Sequence, residues 1–115
     1  MRRRNRCVMA RWPMAPRLPE AFEQFEQRAR SALSGGASEV RFGRHHHSHA
    51  IVTEPDGSFA VRRLEYTQAE RDAYFAAHRM FMPESAEQIS KPRTVVATTR
   101  TLDEVLQIVK RSWPW

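Results

Sequence analysis

Four residues, Glu54-Pro55-Asp56-Gly57, constrain this chain most. Proline presets the backbone for the second position of a type I turn, and glycine accepts the left-handed geometry that follows. On either side lie extended-chain residues, with Ile51-Val52-Thr53 before the turn and Phe59 to Tyr66 after it. The stretch from His45 to Tyr66 therefore reads as a β-hairpin. A three-residue loop at Pro55 to Gly57 sets Glu54 roughly opposite Ser58, Ile51 opposite Val61, His49 opposite Arg63 and His47 opposite Glu65.

Side chains alternate along a strand, which divides this hairpin lengthwise. Near the turn, Phe59, Val61 and Ile51 form an apolar half. Away from it, His45, His47 and His49 share a face with Arg63 and Glu65. Leu64 and Tyr66 break the parity set by Phe59 and Val61, which predicts a bulge or twist near Arg62-Arg63. Upstream, Ser38 to Phe42 is a strand with Val40 and Phe42 on one side. Gly43-Arg44 either bends it into the next strand or separates the two.

Three helices flank these strands. Phe22, Phe25, Ala29, Ala32 and Leu33 fall on one face of a helix over residues 20–33, stopped by Gly35-Gly36. Thr67-Gln68-Ala69-Glu70 is a capping box opening a helix from Gln68 to about Met80, ended by Pro83. Its small face, Ala69, Ala73, Ala76, Ala77 and Met80, suits close packing on a sheet. Glu84 to Ser90 has room for one helical turn. Arg93 to Thr99 is a further strand centred on Val95-Val96-Ala97. Thr101 and Glu104 form a second capping box, for a helix from Leu102 to about Ser112 with Leu102, Val105, Leu106, Val109 and Trp113 on one side. The fold class is α+β, a small mostly antiparallel sheet of about three to four strands with three helices on one face, in two layers.

At 115 residues the chain is long enough for one self-sufficient core. The net charge of +6 invites a nucleic-acid reading, but its distribution does not support one for the folded part. Six basic residues, Arg2, Arg3, Arg4, Arg6, Arg11 and Arg17, precede Leu18 with no acid among them; beyond it 13 basic residues balance 13 acidic ones. Residues 1–17 read as a basic disordered leader, or in part as residues ahead of a start at Met9 or Met14, and residues 18–115 as the single domain. The leader could hold phosphates by counterion release. Its apolar run, Cys7 to Ala10, is too short for a signal peptide, and no stretch approaches a membrane span. One cysteine, Cys7, rules out a disulfide framework and favours a reducing, cytoplasmic setting. Arginine outnumbers lysine 17 to 2, which suggests a GC-rich, bacterial genome.

The polar half of the hairpin is where function is expected. Alternate histidines on a strand, His45, His47 and His49, could ligate zinc and support hydrolysis, with Glu65 as a further oxygen. Arg63 beside His49 weighs against a cation there. The favoured reading is a binding surface of His47, His49, Arg63, Glu65 and Tyr66, joined by the C-terminal Trp113 and Trp115 where they do not pack on the core. No catalytic constellation or phosphate loop is present. The expectation is a non-enzymatic protein-binding domain of inhibitor, immunity or accessory type, an analogy of build with bacterial immunity proteins. A metal-binding protein or hydrolase and a nucleic-acid-associated protein acting through its arginine leader are the alternatives.

Overall fold

The computed structural model describes residues 20–43 and 48–115. Strand β1 (Glu39–Phe42) and strand β2 (His49–Thr53) are antiparallel neighbours, with Val40 opposite Ile51 and Phe42 opposite His49. The chain therefore reverses between them, and a single strand through Thr53 is excluded. Gly43 begins the reversal at a φ of 90°, where a Cβ would lie 1.6 Å from Ser48 Oγ, so only glycine fits there. The expected extended course of residues 44–47, and with it the pairing of His47 with Glu65, lies outside the described residues.

Strand β3 (Phe59–Glu65) returns antiparallel to β2 in the predicted register, Ile51 opposite Val61 and His49 opposite Arg63. The turn closes as its residues require. The Gly57 amide donates to Glu54 O at 2.9 Å, and Asp56 accepts from the Ser58 amide and hydroxyl. Strand β4 (Lys91–Thr99) pairs antiparallel with β3 and completes a sheet of order β1-β2-β3-β4. The predicted irregularity is present in this last ladder. Register shifts fall between Val61 and Arg62 and between Arg62 and Leu64. Each adds a residue on β4. Strand β4 also carries Pro92 and the cations Lys91 and Arg93, with Arg100 just past its end, features that discourage edge-to-edge pairing.

Helices α1 (Phe22–Ser34) and α4 (Leu102–Arg111) form the second layer. The core lies between them and the row Val40–Ile51–Val61, with Phe25, Ala29, Phe42, Val105 and Val109 fully buried. Arg30 on α1 reaches Asp103 on α4 at 2.7 Å and Glu26 one turn back. Both capping boxes form: the Glu70 amide donates to Thr67 Oγ1 and the Thr67 amide to Glu70 Oε1, and the Thr101–Glu104 pair repeats this.

Among the described residues the helices number four rather than three, because Pro83 opens a helix instead of closing one. Helix α2 (Gln68–His78) ends at Arg79 in the left-handed conformation, and Pro83 is the first residue of α3 (Pro83–Ile89). Arg41, Ala50 and Arg62 are cross-strand partners and share the face opposite the core. From that face Arg41 donates to Glu87 O at 2.8 Å and Ser90 O at 2.9 Å, at the C-terminal end of α3. Leu64, on the same face as Arg62, is buried as well. Its parity switch thus marks the end of the sheet where both faces are covered.

The expected close packing of α2 on the sheet does not occur, since α2 buries none of its residues. It is held at its base by polar contacts. Glu70 accepts from Arg93 at 2.8 Å, Tyr74 Oη donates to Gln88 at 3.1 Å, and Arg71 stacks on Phe81.

Gly43→Ala is expected to lower stability by about 1–3 kcal/mol, since it adds both left-handed strain and the Ser48 clash. Urea unfolding of the two proteins side by side checks this, and an unchanged midpoint would show that the β1–β2 reversal tolerates a side chain.

Candidate functional site

His49 opens β2 and lies directly across from Phe42 on one side and Arg63 on the other. It is half-buried, because its neighbours on the sheet and the C-terminal segment close over it. The imidazole stacks on Phe42 at 5.8 Å and meets the edge of Trp115 at 4.7 Å. Ser48 Oγ donates to Phe42 O at 3.3 Å and lies 2.9 Å from His49 Nδ1. Nδ1 is thus engaged by Ser48, and Nε2 is the ring nitrogen on the other side. Burial holds the His49 pKa below its ordinary value, and the neighbouring Arg63 charge lowers it further.

Trp115 reaches this point from the end of α4. Its Nε1–H donates to Val109 O at 2.8 Å, and its ring stands edge-on to Phe42 at 5.4 Å. Trp113 stacks on Phe25 at 5.2 Å and donates from Nε1 to Glu20 O at 2.9 Å. Both indoles therefore pack back on the core, Trp113 within the helix layer and Trp115 at its margin beside His49.

The residues expected to share a surface are distributed over three places. At the end of the core face His49 lies across from Arg63 and against Trp115. Glu65 is 3.9 Å from Arg63 but is committed to β4, accepting from the Thr94 hydroxyl at 2.7 Å and the Thr94 amide at 3.1 Å. Those two bonds, the hydroxyl first, hold its carboxylate pKa below the usual range. Tyr66 stands apart in an aromatic group with Phe81 and Tyr74. His45 and His47 lie outside the described residues. Among the described residues no three His, Cys, Asp or Glu side chains converge as a metal-binding group. The described part of the zinc reading is His49 Nε2 alone, with a guanidinium beside it.

On the opposite face an open cleft of about 350 Å³ is lined by Glu54, Asp56, Ala60, Arg62, Val95 and Thr98. Its charges are largely matched internally: Arg62 grips Glu54 through Nε and Nη2 at 3.0 and 3.1 Å, and its pKa is raised by that pairing. Sequence reasoning missed this cleft. The signal was there in the turn register, which places Glu54 and Arg62 on one face, eight residues apart around the hairpin. No helix among the described residues is long and apolar enough to cross a membrane.

The comparisons with known proteins are negative: no family model, curated protein or solved structure matches this chain.

The His49 environment fixes the sign of a pH effect. Its folded pKa is depressed, so between that value and the unfolded value of about 6.5 the unfolded chain binds more protons. The contribution of His49 to stability is complete above that window and is lost as pH falls through it. Unfolding midpoints measured across this range should decline toward acid in the parent protein, with a smaller slope in His49→Asn. Equal slopes in the two proteins would contradict the assignment.

Proposed function

We propose that this is a non-enzymatic cytoplasmic domain that acts by binding another protein, in the manner of an inhibitor, immunity or accessory protein. The observation that carries the reading is the fixed, partly exposed Trp115 against His49, with Arg63 directly across from His49 on β3. Tryptophan and arginine are the residue types that most often dominate protein interfaces. Here the indole is held by Val109 O, Phe42 and His49, so little side-chain freedom is lost on binding. The Arg63 side chain retains 54 % of its exposure and among the described residues has one long ion pair, which leaves the guanidinium available to a carboxylate. The balance of charge beyond Leu18 favours a protein over a nucleic acid. The lone Cys7 supports a reducing compartment.

The test is affinity capture from the native host by the untruncated chain, with Arg63→Glu and Trp115→Phe as comparators. A partner retained by the parent should be lost from Arg63→Glu and weakened by about tenfold or more in Trp115→Phe, the range of a hot-spot contact. Circular dichroism confirms that both variants fold. Equal capture by all three proteins would remove this surface from the interface.

A further inference from the structure

Helix α2 has eleven residues and buries none of them. A helix that short is marginal in water without packing to stabilise it. Its inward side is settled by its contacts: Glu70 to Arg93, Tyr74 to Gln88, His78 stacked on Tyr74, and Arg71 on Phe81. At 100° per residue the opposite side presents Ala69, Asp72, Ala73 and Ala76, all exposed. Large apolar groups border this strip. Phe75 is 52 % exposed on its flank, and Met80 and Met82, just past the helix, are 56 % and 50 % exposed. An unpartnered helix face of this kind is the sort that marks a protein contact.

The charges on the strip are self-complementary. Asp72 falls on the same flank as Phe75, and Arg79, the left-handed C-cap residue seven positions on, carries a long side chain at the end of the helix. Among the described residues Arg79 makes no ion pair, and Asp72 accepts from Gln68 Nε2. When two such helices lie antiparallel about a two-fold axis between Phe75 and Ala76, like flanks meet. Asp72 of one copy then faces Arg79 of the other, twice. Ala73 and Ala76 at the crossing let the backbones approach closely. Met80 and Met82 are carried toward the Ala69 end of the opposite helix, long side chains against a short one. One edge of the sheet, that of β4, is guarded against pairing with a second copy by its bulges, Pro92 and basic residues.

We infer that α2 is a homodimer interface, paired antiparallel with α2 of a second copy. This contact uses neither His49, Arg63 nor Trp115, so it stands or falls separately from the surface proposed above.

Sedimentation equilibrium of the full chain over a wide concentration range tests it. The parent should pass from monomer to dimer as concentration rises. Ala76→Glu sets two carboxylates against each other at the axis and should raise the dimer dissociation constant about tenfold or more. Glutamate is a good helix former, so the far-ultraviolet spectrum should not change. Asp72→Arg should weaken the dimer and Asp72→Arg combined with Arg79→Asp should restore it, a rescue that a general loss of solubility would not give. A parent that is monomeric throughout, a dimer untouched by Ala76→Glu, or a monomer whose α2 face instead captures a different protein would each overturn the inference.

Discussion

The contact on which the rest depends is the stacking of Trp113 on Phe25, with Phe42 behind them at 5.0 Å from Phe25 and 6.2 Å from Trp113. These three rings come from the C-terminal segment, from α1 and from β1. They are far apart in sequence, and their stacking fixes where each element lies. The Trp113 Nε1–H meets Glu20 O, so the polar atom of a largely buried indole is satisfied at the same point. Trp115 and His49 extend the aromatic group to the end of the sheet, where burial begins to give way to solvent. The candidate surface at His49, Arg63 and Trp115 is the outer margin of the core, positioned by core packing.

On the other side of the sheet the balance of forces differs. The α2–α3 unit joins the domain through a cation on helix-end carbonyls and a few ion pairs. Arg41 donates to Glu87 O and Ser90 O at the end of α3, and its Nε holds Glu39 at 2.7 Å. Charge-assisted bonds of this sort fix geometry well, but exposed ion pairs contribute little stability. The structure therefore has a rigid part, built on α1, the sheet and α4, and a more loosely fastened part in α2 and α3.

Much of this was legible in the sequence, because the signals were local. The Pro55–Gly57 turn set the β2–β3 register, so that His49 fell opposite Arg63 as its position required. The two Thr–Glu boxes placed the starts of α2 and α4, and the spacing of Phe22, Phe25 and Ala29 defined the buried side of α1. What was not legible was tertiary. A face of small residues suits close packing, but composition does not say against what, and here Ala69, Ala73 and Ala76 turn away from the sheet. Pro83 could stop one helix or start the next, and the left-handed Arg79 upstream decided for the second. Arg41 gave no sign of its role, since its partners are main-chain carbonyls more than forty residues away. The division of the sequence-predicted surface into separate clusters follows from Glu65 turning to Thr94 and Tyr66 to Phe81, contacts that depend on where β4 and the residues after α2 come to lie.

The central claim is that the core is built on one face of the sheet and that α2 lies outside it. Native-state hydrogen exchange, read amide by amide on the monomer, tests this most directly. Amides of Phe25, Ile51, Val61 and Val109 should exchange only through global unfolding, while those of Tyr74 to His78 should exchange far faster through local opening of α2. Equal protection in α2 and in these core residues would contradict the account.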